Sequence, residues 1–428
     1  MKLGIYIGGT PNRQIDCRNI IETGNPGIGG TEYEFVMLAT FIGQNKNSFT
    51  DIDLTVFQSG KYMLHEDVHS INDVHQPHIQ EEAEKHHIEI LILDSRLPLN
   101  LIKNFNSSKI KLIIWCHCIG SLYRHLLFAT WDAVKRVVFV SRGHYLNYID
   151  NPIIRKSSFV FNAISVNDKI HYDRNKIPFS RRPHDVVFMG ALDKSKGFHV
   201  LAKSWPKVLK KVPDARLHVI GSANLYGGNF KLGHLGIAEE KYEKTFEKFI
   251  STKNGELHPS IVLHGQLGKE KYNVMSNCRI GVPNPDGDTE TFCICAVEMQ
   301  LCGCKVVTNW SSGYLDTVPS PNILVKRPTA LADAIVASLM EDDFDCTKNL
   351  KNIKDQFSIE PVALKWVSII HSVYNNNKIS ETVIIPNKFR FRKFNSYLRK
   401  IFPFVPPMGL ISDTLARFSG VIKRKLIL

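Results

Sequence analysis

Two glutamates, Glu290 and Glu298, stand where the sequence has most scope for chemistry. They lie in PNPDGDTETFCICAVEMQLCGCKVVT, Pro283–Thr308. An apolar run ends near Pro283 and a polar loop holds Glu290. Thr291–Ile294 then leads into a helix that carries Glu298 and stops at Gly303. The amides of Cys293 and Ile294, at the start of that helix, would point at a bound anion. Were the whole stretch helical, the two carboxylates would be about 12 Å apart along the axis. A glycosidase acid–base pair needs roughly 5–9.5 Å. The spacing therefore favours two carboxylates that bind hydroxyls at opposite ends of one ligand. A diphosphate seated between them on the helix N-terminus fits a sugar nucleotide. The competing reading is a pair of surface glutamates flanking a helix start.

Three other segments end a strand and open a loop, the place where doubly wound sheets bind ligands. In FMGALDKSKGFHVL, Phe188–Leu201, a strand ends at Gly190, a short loop holds Lys194 and Lys196, and a helix follows Gly197. A lysine there could neutralise a phosphate, or simply be exposed. GNPGIGGTE, Gly24–Glu32, lies between the first strand and a helix. Its glycines let backbone approach a phosphate or sugar, although such loops also merely turn. It does not match the dinucleotide-binding G-x-G-x-x-G pattern followed by an acidic residue. His117 closes the run KLIIWCH; it faces a cleft or is a satisfied, partly buried imidazole, and taken alone the second reading is preferred.

The elements that must position these groups follow an alternating pattern. Strands are expected at Leu3–Ile7, Leu54–Phe57, Ile88–Leu93, Ile110–Trp115, Val137–Val140 and Ser158–Phe161. A second set is expected at Asp185–Met189, Arg216–Ile220, Ile261–His264, Arg279–Val282, Lys305–Thr308 and Asn322–Val325. Helical patterns at Glu32–Ile42, Arg142–Tyr148, Gly197–Lys210, Lys269–Ser276, Cys295–Leu301 and Ala330–Met340 lie between them, and Ser358–Tyr374 is one more. Continuous apolar strands alternating with helices predict an α/β chain of two doubly wound, Rossmann-like parallel-sheet domains. The expected domains are 1–175 and 176–377, joined through Asp168–His184, with a basic tail over 378–428.

Charge sharpens that division. The 428 residues carry 54 Lys and Arg against 41 Asp and Glu, but Lys378–Leu428 alone holds 11 basic and 2 acidic residues. An electrostatic partner is thus expected at the tail rather than over the whole protein. Phe389–Ile401 mixes cations with aromatics, Phe402–Pro407 breaks the helix, and Ile411, Leu415, Phe418 and Ile422 recur at helical spacing. This reads as an element for an anionic membrane surface, 388–428, or as a strap packed across both domains. No nucleic-acid module accompanies the charge, so no nucleic-acid partner is expected. The nine cysteines include three C-x-C pairs and no C-x-x-C, each pair in an apolar run. Buried, reduced thiols are expected, and with them a cytoplasmic location, peripheral on a membrane if the tail binds one. MKLGIYIGGT reads as a first strand rather than a signal peptide, and no run of about 18 apolar residues suggests a membrane span. Six histidines within His65–His87 read as a solvated surface rather than a metal site.

Taken together, the sequence resembles the GT-B retaining glycosyltransferases of family four. The E-x7-E element Glu290–Glu298 is the main signature. The lead-in LHGQLGKEKYNVMSNCRIGVPN (Leu263–Asn284), the GGTE loop, FVSR (Phe139–Arg142), FVFNAI (Phe159–Ile164) and MGALDKSKG fall in the family's order. The resemblance covers roughly Met1–Tyr374. It implies a nucleotide-sugar donor on the second domain, an acceptor on the first, and no metal or other cofactor.

By that resemblance, Glu290, His117 and Lys196 are the catalytic set. Glu290 holds sugar hydroxyls, Lys196 meets the diphosphate, and His117 sits near the transferred sugar. Glu298 accepts from the ribose. Phe292, Cys293 and Ile294 line the donor site with amides, Gly190 and Lys194 belong to the same site, and Gly30 lets the first domain close on it. The acceptor implied is a glycan or lipid-linked molecule, as in synthesis of cell-surface polysaccharide, lipopolysaccharide or glycolipid. Two positions depart from the pattern. The family's G-R-L triplet is Gly190-Ala191-Leu192, and the usual glycine after the phenylalanine is Cys293. Lys194 can stand in for the absent arginine. A non-catalytic GT-B protein that binds a nucleotide sugar or a partner transferase, and a sugar-nucleotide epimerase on the same architecture, are the alternatives.

Overall fold

A computed structural model describes residues 1–9, 14–166, 177–223, 231–287, 290–345, 347–378 and 381–408. In the first domain seven parallel strands form one sheet. They are β1 (Lys2–Ile7), β2 (Asp53–Gln58), β3 (Ser70–Ile71), β4 (Ile90–Asp94), β5 (Lys111–Cys116), β6 (Val134–Phe139) and β7 (Ser157–Phe159), in the order β3-β2-β1-β4-β5-β6-β7. Strand order reverses at β1, which lies between β2 and β4. The continuous apolar runs have a simple cause. Ile90 and Ile92 face one core while Leu91 and Leu93 face the other, so both faces are covered.

The second domain repeats the plan with six parallel strands: β8 (Asp185–Met189), β9 (Arg216–Ile220), β10 (Ile261–Gly265), β11 (Ile280–Gly281), β12 (Lys305–Asn309) and β13 (Ile323–Val325). Their order is β10-β9-β8-β11-β12-β13, again reversing at the domain's first strand. The helices that matter for the site are α1 (Gly30–Gln44), α2 (Arg142–Leu146), α3 (Phe198–Lys211), α4 (Lys271–Asn277) and α5 (Ile294–Leu301). Near the C-terminus come α6 (Ile359–Tyr374) and α7 (Arg390–Ile401). All twelve expected strands are present, two with the expected ends and the rest with ends shifted by at most three residues.

Packing redistributes two parts of the chain. Helix α6, which follows the second domain in sequence, buries Trp366, Ile370 and Val373 in the core of the first. Trp366 lies 4.4 Å from Trp115 of β5. The same core takes Phe292, Val297 and Leu301 from the second domain, so one apolar cluster spans both. The tail straps the domains as well. Phe389 is buried in the first domain, and the ammonium of Lys388 stands 3.7 Å over the ring of Trp310 in the second. The linker falls mostly on 167–176, and the apolar series from Ile411 to Ile422 on 409–428, both outside the described residues. The histidine-rich region is more ordered than its composition suggests, because Ile79 and Ala83 anchor a helix over Ile79–Lys85. Among the described residues no cluster of three potential ligands forms a metal site, and no helix is long and apolar enough to cross a membrane.

Candidate donor site between the domains

Glu290 sits in the loop between β11 and α5, buried where the two domains meet. Its Oε2 accepts from Asn284 Nδ2 at 2.9 Å and lies 3.6 Å from Lys196 Nζ. Thr291 N donates to Oε1 at 3.3 Å. Burial alone would raise this carboxyl's pKa. The Lys196 charge, the Asn284 amide and the amides of Thr291 and Phe292 outweigh that and hold it below the usual range. Glu290 is therefore ionised at neutral pH and is an acceptor. The arrangement pairs the Glu290 carboxylate with Lys196, two residues that the resemblance assigns to different parts of the donor.

Lys196 arrives from the loop after β8, where Asp193 caps the short turn Lys194–Lys196 by accepting from Ser195 N at 2.7 Å. Gly197 then adopts φ 68°, and a Cβ there would stand 2.6 Å from Asp286 N, so glycine is required for this loop to touch the Glu290 loop. Gly190 lies against the Lys196 stem: a Cβ added there would stand 3.5 Å from the Lys196 Cβ. Ala191 is buried, so the place of the family's arginine is filled by core. At the start of α5, Cys293 takes a left-handed conformation with φ 67°. A β-carbon disfavours that region, which accounts for the glycine usual there. Its Sγ is 3.3 Å from that of Cys295, a thiol contact and not a disulfide. Cys118, expected to be buried, is exposed.

Phe292 differs from its expected role in its side chain, which packs edge-on to Phe357 at 5.2 Å within the core. Its amide faces Glu290. His117 is buried between Trp115 and Phe35, and neither ring nitrogen has a hydrogen-bond partner. The reading of a satisfied, partly buried imidazole is thus corrected. Burial, with Arg96 and His144 nearby, lowers its pKa well below the ordinary value, so the ring is neutral with two unused polar atoms.

Glu298 lies on α5, buried and away from Glu290's partners. Lys271 Nζ of α4 is 2.6 Å from its Oε1, and Tyr272 OH donates to the same oxygen at 3.0 Å. Neither Lys271 nor Tyr272 was singled out from sequence, because nothing in KEKYNVMSN announces a partner on another helix.

The first domain closes onto this loop. Thr291 Oγ1 donates to His117 O at 2.6 Å, and Ser141 Oγ to Thr291 O at 2.5 Å. Arg142 pairs with Asp316 at 2.9 Å. Gly30 stands against Ile294, 3.5 Å from its Cδ1 as measured from an added Cβ. Gly143 of α2 is tighter still: an added Cβ would stand 1.8 Å from Ser312 O. Gly143→Ala is accordingly expected to pry the domains apart, destabilising the closed form by about 1–3 kcal/mol. A thermal melt checks this, and an unchanged midpoint would show that the contact is not rigid.

Beside the closure is a depression of about 580 Å³, counted to its open mouth, at the carboxyl ends of β1 and β4. Tyr6, Phe35 and Leu97 supply apolar wall, and Glu32, Asp94 and Arg96 the charge. Arg96 is held by Asp94 at 2.5 Å and Glu32 at 3.3 Å.

The family model described as glycosyl transferases group 1 matches residues 170–356. No curated protein matches the sequence. Among solved structures, Anabaena HepE, crystallised with UDP and glucose, is 13% identical, with a TM-score of 0.59 over 87% of this chain and 100% of its own. AviGT4, a glycosyltransferase involved in avilamycin A biosynthesis, is 11% identical, with a TM-score of 0.55 over 89% of this chain and 99% of its own. TarM of S. aureus, solved with fondaparinux, alpha-GlcNAc-glycerol and UDP, is 15% identical, with a TM-score of 0.52 over 66% of this chain and 55% of its own. These likenesses show a shared architecture. The chain thus shares the two-domain GT-B architecture of these structures, and its residues 170–356 are similar to the glycosyl transferases group 1 family.

Proposed function

We propose that the protein moves a sugar, with retention of anomeric configuration and without a metal, from a nucleotide-sugar donor to a glycan or lipid-linked acceptor. The observation that carries this is the ionised, buried Glu290, set beside Lys196 and at the entrance to α5 between the domains. A donor sugar would take over the acceptor oxygens of Glu290 through its hydroxyls, and its diphosphate would draw Lys196 to itself. Lys194 and the amides of Cys293 and Ile294 would face the same anion, and Glu298 the ribose. In the transfer step the bond from the anomeric carbon to the diphosphate oxygen breaks. A bond to the acceptor oxygen forms on the same face, and the acceptor proton passes to the departing phosphate. Stabilising that leaving group electrostatically is the protein's main task. Neutral His117, next to the Glu290 loop, would offer a ring nitrogen to the sugar. The depression between Tyr6 and Arg96 would receive the acceptor.

The donor is tested by thermal shift over a panel of nucleotide sugars. UDP-sugars come first because HepE and TarM were solved with UDP. At a hundredfold excess over Kd, a donor should stabilise the protein by about 2.7 kcal/mol. Transfer to glycan and lipid-linked acceptors in cell-surface polysaccharide, lipopolysaccharide or glycolipid synthesis is the second measurement. Buried Ala191 favours a second reading, a GT-B protein that binds a nucleotide sugar without turning it over. Donor binding with no hydrolysis or transfer across the panel would select it. No shift with any donor would overturn both.

A further inference from the structure

We propose that the outward face of α7, continued by the turn after it, docks on an anionic lipid bilayer. The helix has two unlike faces. On the inner one, the carboxylate of Asp150, fully buried, receives Arg392 Nη1 at 3.1 Å, Asn395 Nδ2 at 2.8 Å and the amide of Met408 at 2.7 Å. This single carboxylate therefore fixes the middle of the helix and the chain that returns past it. Arg399 donates to Val405 O and closes the intervening turn. These contacts leave the opposite face outward. Phe391, Phe394, Tyr397 and Ile401 run along it, and Phe402 and Phe404 extend it. Their exposures range from 46% at Phe402 to 82% at Phe404.

A contiguous aromatic patch of this kind on a folded surface marks an interaction site. Its charge identifies the occupant. From Thr382 to Met408 the chain has six cations and no acidic residue. Arg392 and Arg399 are engaged inward, whereas Arg390, Lys393 and Lys400 are exposed around the aromatics. A second copy packed on this face would bring those cations against one another in low dielectric. An anionic bilayer supplies apolar depth for the rings and negative headgroups for the cations at once. The strap made by Lys388 and Phe389 ties this helix to both domains, so docking would hold the whole enzyme, not a loose end, at the surface.

The test uses the full chain and flotation with phosphatidylcholine vesicles, with and without phosphatidylglycerol. Wild type should bind the anionic vesicles at low salt, and the uncharged ones roughly 100-fold less well, for three cations near the surface. Serine at Phe391, Phe394 and Tyr397 together, or K393E with K400E, should each reduce binding at least about tenfold. Thermal midpoints and donor-induced shifts should stay as in wild type, since these side chains are exposed and far in sequence from the donor loops. That separates failure of this proposal from failure of the donor assignment. Wild type that floats with neither vesicle overturns the proposal, as does a triple-serine variant that binds normally. Loss of self-association in the triple variant, read by sedimentation, would instead make the patch an interface between copies. Binding abolished by removing 409–428 alone would move the contact out of α7 and equally refute it.

Discussion

Glu290→Ala is expected to lower sugar transfer by roughly 10²–10⁴-fold while the protein still folds. Among the described residues, the carboxylate is the acidic group that meets both a lysine and the amides at the entrance to α5. Hydrogen bonds to a charged group are worth about 1.5–3 kcal/mol each. Two of them, made to donor hydroxyls and strengthened as the sugar acquires positive charge, give that range of rates. Glu290→Gln is the sharper probe. It keeps the shape of the side chain, removes the charge that Lys196 faces, and turns a donor toward hydroxyls that need an acceptor. Both variants should melt close to wild type, because Lys196 is partly exposed and can turn to water. Single-turnover transfer with a donor found by thermal shift measures the effect. Wild-type rates in either variant would remove Glu290 from the site.

The fold was legible because the signals that specify it are local. A run such as ILILD, Ile90–Asp94, reads as a strand covered on both faces, and the structure gives each face its own core. Alternation with helices then dictates parallel pairing. Where reading failed, long-range packing decided. Helix α6 reads as the end of the second domain because it follows it, yet Trp366 finds Trp115 far back in the chain. No periodicity encodes that destination. The tail offered two readings, a strap or a membrane surface. The structure places Asn395 and Phe389 inward and Phe391 and Phe394 outward, so one element has a face suited to each.

The site was legible to the level of loops, less so to the level of partners. Glu290, Lys196, Cys293 and Gly30 converge because each ends a strand or begins a helix at the same edge. Charge bookkeeping within the site needed coordinates. The sequence presents Glu290 and Glu298 as one motif, but the structure gives them different cations, one from a loop and one from a neighbouring helix. Lys271 and Tyr272 are adjacent residues on α4, and both reach Glu298 across a helix–helix contact. For His117 the difficulty was burial, since a histidine at a strand end carries no mark of whether its ring nitrogens are satisfied.

That second cation leads to the largest expected effect on stability. Lys271 and Glu298 form an ion pair at 2.6 Å with each side chain only 6% exposed. Burying two charges is costly, and the pair's attraction offsets the cost only while both members are present. Lys271→Met should therefore destabilise the protein by about 3–5 kcal/mol, leaving Glu298 with the Tyr272 hydroxyl alone. For a domain of this size that lowers the melting midpoint by roughly 2–4 °C per kcal/mol. Nearby Glu34 does not compound the deficit as a second full charge. Burial, opposed by the Ala163 amide and assisted by Glu298, raises its pKa well above the carboxylate range. Adding Glu298→Leu to Lys271→Met removes the orphaned charge, so the double variant should recover much of the lost stability. It should not recover a donor-induced thermal shift, because the group assigned to the ribose is gone. The pair of variants thus separates Glu298 as a structural ion from Glu298 as a ligand. A single variant that melts like wild type would show that the pair is dispensable to the fold. A double variant that still responds fully to the donor would take Glu298 out of the binding site.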